Sequence, residues 1–361
     1  MDVGFIGTKT NELSMKKNKI LVGMVIIAAT LTACENQDID FPDFDYQTVY
    51  FGNQYPVRTV ELGEDLFVDT SIDNQHKVVI KATVGGVYKN NKDIVVDFKV
   101  DKSLCDGLYF KEEKGNDVKV EPMPSEYYQL ASDRIVIPSG SILGGVEVQL
   151  TDAFFEDEKA LSKNYVIPLL MTDVQGVDSI LRGAPLVENP NRCISDDWTV
   201  KPKDYILYAV KYVNPWHGNY LRRGVDKITK EDGVVSTSVR HEQYVEKDEV
   251  VSISTNKLKV STLSLNIYDT EGTAVNYNLV LKFAEDNTCT VSGDSDEYEI
   301  SGTGKFVSKG DKNSMGGKDR DVLYLDYNVT FKDLNWQYAT KDTLVVRDRG
   351  VAPEYFDVVK K

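Results

Sequence analysis

Apolar residues recur at every second position in short runs along most of the chain. In "VLYLDYNVTF", Leu323, Leu325, Tyr327, Val329 and Phe331 share one face, while Tyr324, Asp326, Asn328 and Thr330 share the other. "GGVEVQL" repeats the pattern, with Val146, Val148 and Leu150 set against Glu147 and Gln149. A period of two marks strands with one dry face and one wet face. Between Tyr46 and Asp173, clusters of Gly, Asp, Asn and Pro interrupt such runs, as in an antiparallel sandwich of the immunoglobulin kind. "AFFEDEKALSKN" is the single short helical turn expected in this half.

The periodicity fades in "QGVDSILRGAPLVENPNRCISDDWTVKPKD", which holds three prolines and many turn formers and reads as a linker or docking segment. Strand-like runs then resume, from "YILYAVKYV" to "DTLVVRDRG". Their hairpin-length gaps suit a closed up-and-down barrel, which hides its sheet edges by closure. The expected division is a β-sandwich over 46–174, a linker over 175–203 and a barrel over 204–361. The fold class is all-β.

The start of the chain has a different pattern. Lys16, Lys17 and Lys19 precede an apolar run, Ile20 to Leu31, that ends in Leu31-Thr32-Ala33-Cys34. The run is shorter than the roughly 20 residues an apolar helix needs to cross a bilayer. A basic start, an apolar run and a small-residue end form a signal peptide, here residues 1–33, with Met15 the more plausible start. Leu-Thr-Ala-Cys resembles the bacterial lipobox, which implies cleavage before Cys34 and lipid on that cysteine. The acidic stretch 34–45 then serves as a solvated tether. It is also similar to the acidic export tag of Bacteroidota surface lipoproteins, which implies an outer-membrane protein, held by its lipid alone and facing the cell exterior.

Composition narrows the partners. The formal net charge is −15, and removal of residues 1–33 leaves about −17. Such a surface repels phosphate backbones, so nucleic acid is excluded as a partner. Cys105, Cys193 and Cys289 lie far apart, with no disulfide framework or zinc spacing, and read as buried small residues. The acidic runs "DSDEYE" and "FFEDE" lack the spaced ligands and glycine of a calcium loop. Neither a metal nor a cofactor is expected.

Longer phrases carry a family likeness. With "DKSLCDG", "YYQLASDRIVIPSGS" and "NYVIPLLMTD", the first half resembles the N-terminal domain of unknown function in many Bacteroidota surface lipoproteins. That module also precedes the catalytic barrel of Bacteroides family-18 endo-β-N-acetylglucosaminidases. With "YVNPWHGNYLRRG", "GTGKFVSKGDKNSMGGKDRDVLYLDYNVTF" and "DTLVVRDRG", the second half resembles the lipocalin-like module that commonly partners it. The resemblance implies a place in a polysaccharide-utilisation system, with a glycan ligand and, as partners, an outer-membrane importer and its glycan-capturing lipoprotein.

Sugar rings stack their C–H faces on aromatic rings, and their hydroxyls need polar groups around the stack. The chain has 20 tyrosines and 3 tryptophans. The candidate glycan contacts are Trp336 and Tyr338 in "NWQYATKD", expected in a loop between the last two strands, and Trp216, His217, Tyr220 and Arg222 in "NPWHGNYLRRG". Lipocalin-like barrels offer a second role for Trp216, since an aromatic there closes one end of the barrel under an arginine from the last strand, here Arg347 or Arg349. Trp198 is expected to pin the domains together, and His76 and His241 to be ordinary surface or strand residues.

Catalysis finds little support. Family-18 hydrolases need D-G-x-D-x-D-x-E, and "DVLYLDYN" lacks both the glycine and the glutamate. No nucleophile elbow, H-E-x-x-H helix or phosphate loop occurs, so no catalytic residue is expected. A protein-docking or adhesin-like role and an unrecognised glycoside hydrolase stand as the alternatives to non-catalytic glycan capture.

Overall fold

Period-two runs fold as strands throughout the computed structural model, which describes residues 44–361. The signal peptide, the lipid-bearing Cys34 and all but the last two tether residues lie outside the described residues.

The first domain is all-β, as the alternation predicts. Strands Thr48–Tyr50, Lys77–Gly85, Leu143–Leu150, Arg134–Ile137, Ile94–Val100, Tyr165–Gln175, Tyr205–Val213 and Pro56–Glu61 hydrogen-bond in that order. The sheet folds over one core, to which Val49, Ile80, Val96, Val148, Leu169 and Val210 all belong. Across that core the Tyr208 hydroxyl donates to the carbonyl of Val79, 3.5 Å away. The sandwich layers are thus joined in one continuous sheet rather than two separate ones.

The strand Tyr205–Val213, which the sequence reading places in the barrel, lies in this first sheet, between Tyr165–Gln175 and Pro56–Glu61. Its composition explains the place: "YILYAVKYV" is buried on both faces along nearly its whole length, whereas a barrel strand keeps one face wet. The 175–203 segment is also no free linker. Ser179–Ile180 pairs with Thr48–Val49, and Ile180 and Cys193 are buried. Trp198 donates its indole N–H to the Asn191 carbonyl, within the same segment.

The barrel begins at Gly218. The nine strands of its sheet, in chain order, are Gly218–Thr229, Val235–Arg240, Glu249–Lys257, Val260–Tyr268, Ala274–Phe283, Thr288–Ser292, Tyr298–Asp311, Arg320–Phe331 and Trp336–Asp348; eight of them form the closed barrel, and Val235–Arg240 pairs with the first strand alone. The ninth pairs with the first, from Asn219–Asp348 to Thr229–Gln337, and closes the barrel. Leu323, Leu325, Tyr327, Val329 and Phe331 point inward, as their alternation predicts.

The end of the barrel nearer the sandwich is plugged. Trp216 stacks on Phe283, with Leu263, Leu279, Leu281 and Leu344 in the same core. Tyr220 donates its hydroxyl to the Trp216 carbonyl at 2.7 Å. Arg349 caps this floor, donating to the carbonyls of His217, Asn214 and Leu62. Because Leu62 belongs to the sandwich, the same guanidinium ties the two domains together. The chain then returns to the first domain, where Glu354–Tyr355 pairs with Pro56–Val57 and Val358–Lys360 with Leu108–Phe110.

Candidate functional site

Strand pairing leaves an opening in the barrel wall beside the second strand. The first strand pairs with the third only over Gly218–Arg222. Over Gly224–Thr229 the short second strand takes that place. The third and fourth strands stop pairing at Ile253–Leu263, which leaves Ser264–Tyr268 without a strand on that side. Among the described residues the outer edge of the second strand is unpaired too. Between these two edges lies a cavity of about 280 Å³, lined by Arg222, Asp226, Ile228, Ser238, Arg240, Glu249, Asn266, Ile267, Tyr268, Tyr277 and Tyr338.

A layer of ion pairs forms its inner boundary. Arg222 is buried, and its Nε donates to Asp342 Oδ2 at 2.9 Å, its Nη2 to the Tyr327 hydroxyl at 3.3 Å and its Nη1 to Glu249 Oε2 at 3.3 Å. Arg240, from the second strand, joins Asp342 and Asp226. Thr340 donates to the other oxygen of Asp226 at 2.7 Å, and Tyr327 donates to Asp342 at 2.9 Å. Buried charges persist only when paired and hydrogen-bonded, and this network meets that condition. Gly224 makes room for it, since a Cβ there would lie 2.3 Å from Asp342 Oδ1.

Electrostatics fix the protonation of Arg222 and of the three tyrosines around it. Burial works to lower the Arg222 pKa, but Asp342, with Tyr327, Tyr277 and Glu249, more than offsets it, and the guanidinium is held charged. Burial raises the phenol pKa values of Tyr277, Tyr327 and Tyr338, so all three keep their protons. The site presents a fixed array of charges and hydroxyls with the exposed ring of Tyr268 at its rim. Such an array suits recognition of a polyhydroxylated ligand.

The six sequence candidates divide between the two ends of the barrel. Arg222 and Tyr338 line the cavity. Trp216, Tyr220 and His217 sit at the plugged end, where Trp216 and Tyr220 are buried. His217 is half-buried, and its Nδ1 accepts from the Thr255 backbone N–H. Trp336 and Tyr338 are not on an exposed loop. They open the ninth strand, and Trp336 is only 5% exposed. Alternation of inward positions through Trp336, Tyr338, Thr340, Asp342 and Leu344 carries the strand back to the turn at Lys332–Asn335, where Asn335 has φ 51°. Lys230 Nζ lies 4.3 Å from the Trp336 ring centre.

Sequence reasoning missed Asp226, Arg240, Glu249, Asn266, Tyr268 and Tyr277. Asp226 had a signal, a charged residue on the dry face of a period-two run beside Arg222 and Gly224, whereas Asn266 and Tyr268 lie on the exposed face of their strand and had none. Within the acidic runs, Asp294 accepts from Tyr298 and Asn278, and Asp157 from Tyr127 and Tyr165. Cys105, Cys193 and Cys289 are free and buried.

Comparison with known proteins adds context. A family model for a domain of unknown function, DUF5627, matches residues 215–350, and a model for an N-terminal domain matches residues 44–178. A solved Bacteroides ovatus protein of unknown function is 59% identical, with TM-score 0.83, over 88% of this chain and all of that one. A multidomain Bacteroides ovatus protein including DUF1735 matches at 13% identity and TM-score 0.39, over 85% of this chain and 97% of that one. An auxiliary nutrient binding protein from Bacteroides thetaiotaomicron matches at 12% identity and TM-score 0.32, over 80% and 90%. The last two scores are too low to carry an argument about this chain. No curated protein matches.

Proposed function

We propose, from the premise that this chain belongs to the same family as the Bacteroides ovatus protein of unknown function, that it captures glycan in the lateral cavity of its barrel without breaking bonds. The observation that carries this reading is the cavity itself: Tyr268, Tyr277 and Tyr338 surround an ordered array of charges and hydroxyls in one opening of the wall. Rings offer faces for stacking, and fixed polar groups select among hydroxyl arrangements. Lipid on Cys34 would hold the protein at the outer membrane, and bound glycan would pass to an importer or a degrading enzyme.

Affinity electrophoresis of protein spanning Glu35–Lys361 against plant, host and fungal polysaccharides and mucin glycans tests the reading. Retardation by one class, with no release of reducing ends, supports capture; release of reducing ends would make the protein a hydrolase. A second reading, docking of a protein partner, has support in the exposed apolar tip Leu66-Phe67-Val68, where Phe67 is 70% exposed. Recovery of importer components with no glycan retained would favour it.

A further inference from the structure

We infer that the lateral cavity takes a neutral sugar at the end of a glycan chain and turns away acidic ones, an inference that rests on the glycan-binding reading above. Three observations lead to it.

The first is size and depth. At about 280 Å³ the cavity falls just below the roughly 300–1,000 Å³ that enclose drug-sized ligands, so it holds one or two sugar rings. It is blind. The layer of Arg222, Asp342 and Tyr327 closes its inner side, and the apolar plug under Trp216 fills the barrel beyond. A polysaccharide cannot thread through such a site and must enter by one end.

The second is how the arginines are used. A uronate or other acidic sugar is best held by a guanidinium that turns two free N–H groups toward it. Neither arginine does so. Arg222 places Nε, Nη1 and Nη2 on Asp342, Glu249 and Tyr327. Arg240 places Nη1 on Asp226 and Nη2 on Asp342. The network sets two guanidiniums against three carboxylates and so carries one excess negative charge, on a chain whose net charge is −15. A carboxylated sugar entering here would meet repulsion, with no guanidinium that turns a free pair of N–H groups toward it.

The third is what remains for a ligand. The Glu249 side chain is about half exposed, at 48%, so its carboxylate can accept from sugar hydroxyls. Ser238 and Asn266 add neutral groups to the lining. Arg240 Nε is buried with no hydrogen-bond partner. An unmet buried donor calls for an acceptor, and a hydroxyl or ring oxygen supplies one without added charge. Tyr268, 64% exposed, provides a ring face at the entrance.

Calorimetric titration of the protein with matched oligosaccharides tests this. The probes are gluco-, galacto-, manno- and N-acetylgluco-oligosaccharides, with glucurono- and galacturono-oligosaccharides as the counterparts oxidised at C6. At least one neutral series is expected to bind, its acidic counterpart about tenfold more weakly or worse, with affinity levelling beyond two units. Glu249→Gln is expected to narrow the gap between neutral and acidic ligands while leaving thermal unfolding unchanged. Equal or tighter binding of the acidic series would overturn the charge selection and leave the glycan site standing. Affinity that keeps climbing with chain length would overturn end-on entry. Failure of every series to bind would remove the glycan reading itself, and the inference with it.

Discussion

Trp216 lies flat on Phe283, the ring centroids 3.8 Å apart and the planes 4° from parallel. This stack plugs the barrel, so the tryptophan ring belongs to its core. Trp216→Ala is expected to cost about 3–5 kcal/mol, read as a fall in the urea midpoint, and Trp216→Phe to cost less. An alanine variant as stable as the parent would mean that the ring closes nothing.

Asp342 accepts from both Arg222 and Arg240 in the barrel interior. Asp342→Ala therefore leaves two guanidiniums without their shared acceptor, and removal of one partner from a buried pair costs about 3–5 kcal/mol. Arg222→Met combined with Asp342→Leu is expected to recover part of that loss, because neither member of the Arg222–Asp342 pair is then left unmatched. Denaturant unfolding of the single and double variants checks the order.

Acid should weaken the fold through His217. Burial first, then Arg349 and Lys211, lowers its pKa to about 4 from the usual 6.5. Its Nδ1 accepts from the Thr255 N–H at 3.3 Å, a role that needs that nitrogen unprotonated. Between the two values the unfolded chain binds a proton that the native chain refuses, so stability falls as pH drops through that window. The loss approaches about 3 kcal/mol at its lower end. Glu61, whose pKa burial raises, acts in the opposite sense, so the comparison is between variants. His217→Gln should show a flatter dependence of urea midpoint on pH from 6.5 to 4, and an unchanged slope would assign the acid sensitivity elsewhere.

Rim tyrosines should affect binding more than folding. Tyr268→Ala removes an exposed ring and is expected to weaken glycan retention by up to about tenfold, the range of an aromatic contact, with thermal unfolding unchanged. Trp336→Ala, by contrast, is expected to lower the unfolding temperature because that ring is buried. Full retention by Tyr268→Ala would take this ring out of the site.

Much of the fold was legible because alternation reports burial directly. "VLYLDYNVTF" announced both its strand and its inward face. "YILYAVKYV" reads as a strand but does not disclose its domain, because a run without alternation says that both faces are covered and not by what. The plug was legible at Trp216 and Arg349. The cavity was only half legible, since Arg222 and Tyr338 reach it from strands over a hundred residues apart in sequence. Its other walls depend on where pairing stops, at Ile253–Leu263, and pairing limits are set by the partner strand rather than by local pattern.

The return of Glu354–Tyr355 and Val358–Lys360 to the sandwich makes the barrel an insertion within the first domain. Synthesis order and assembly order then differ. A ribosome has made every barrel strand before it makes the residues that pair with Pro56–Val57 and Leu108–Phe110, so the barrel can close while the domain begun first still waits for its last strands. Loss of the final dozen residues should accordingly loosen the sandwich, three hundred positions away in sequence, before it disturbs the barrel next to them.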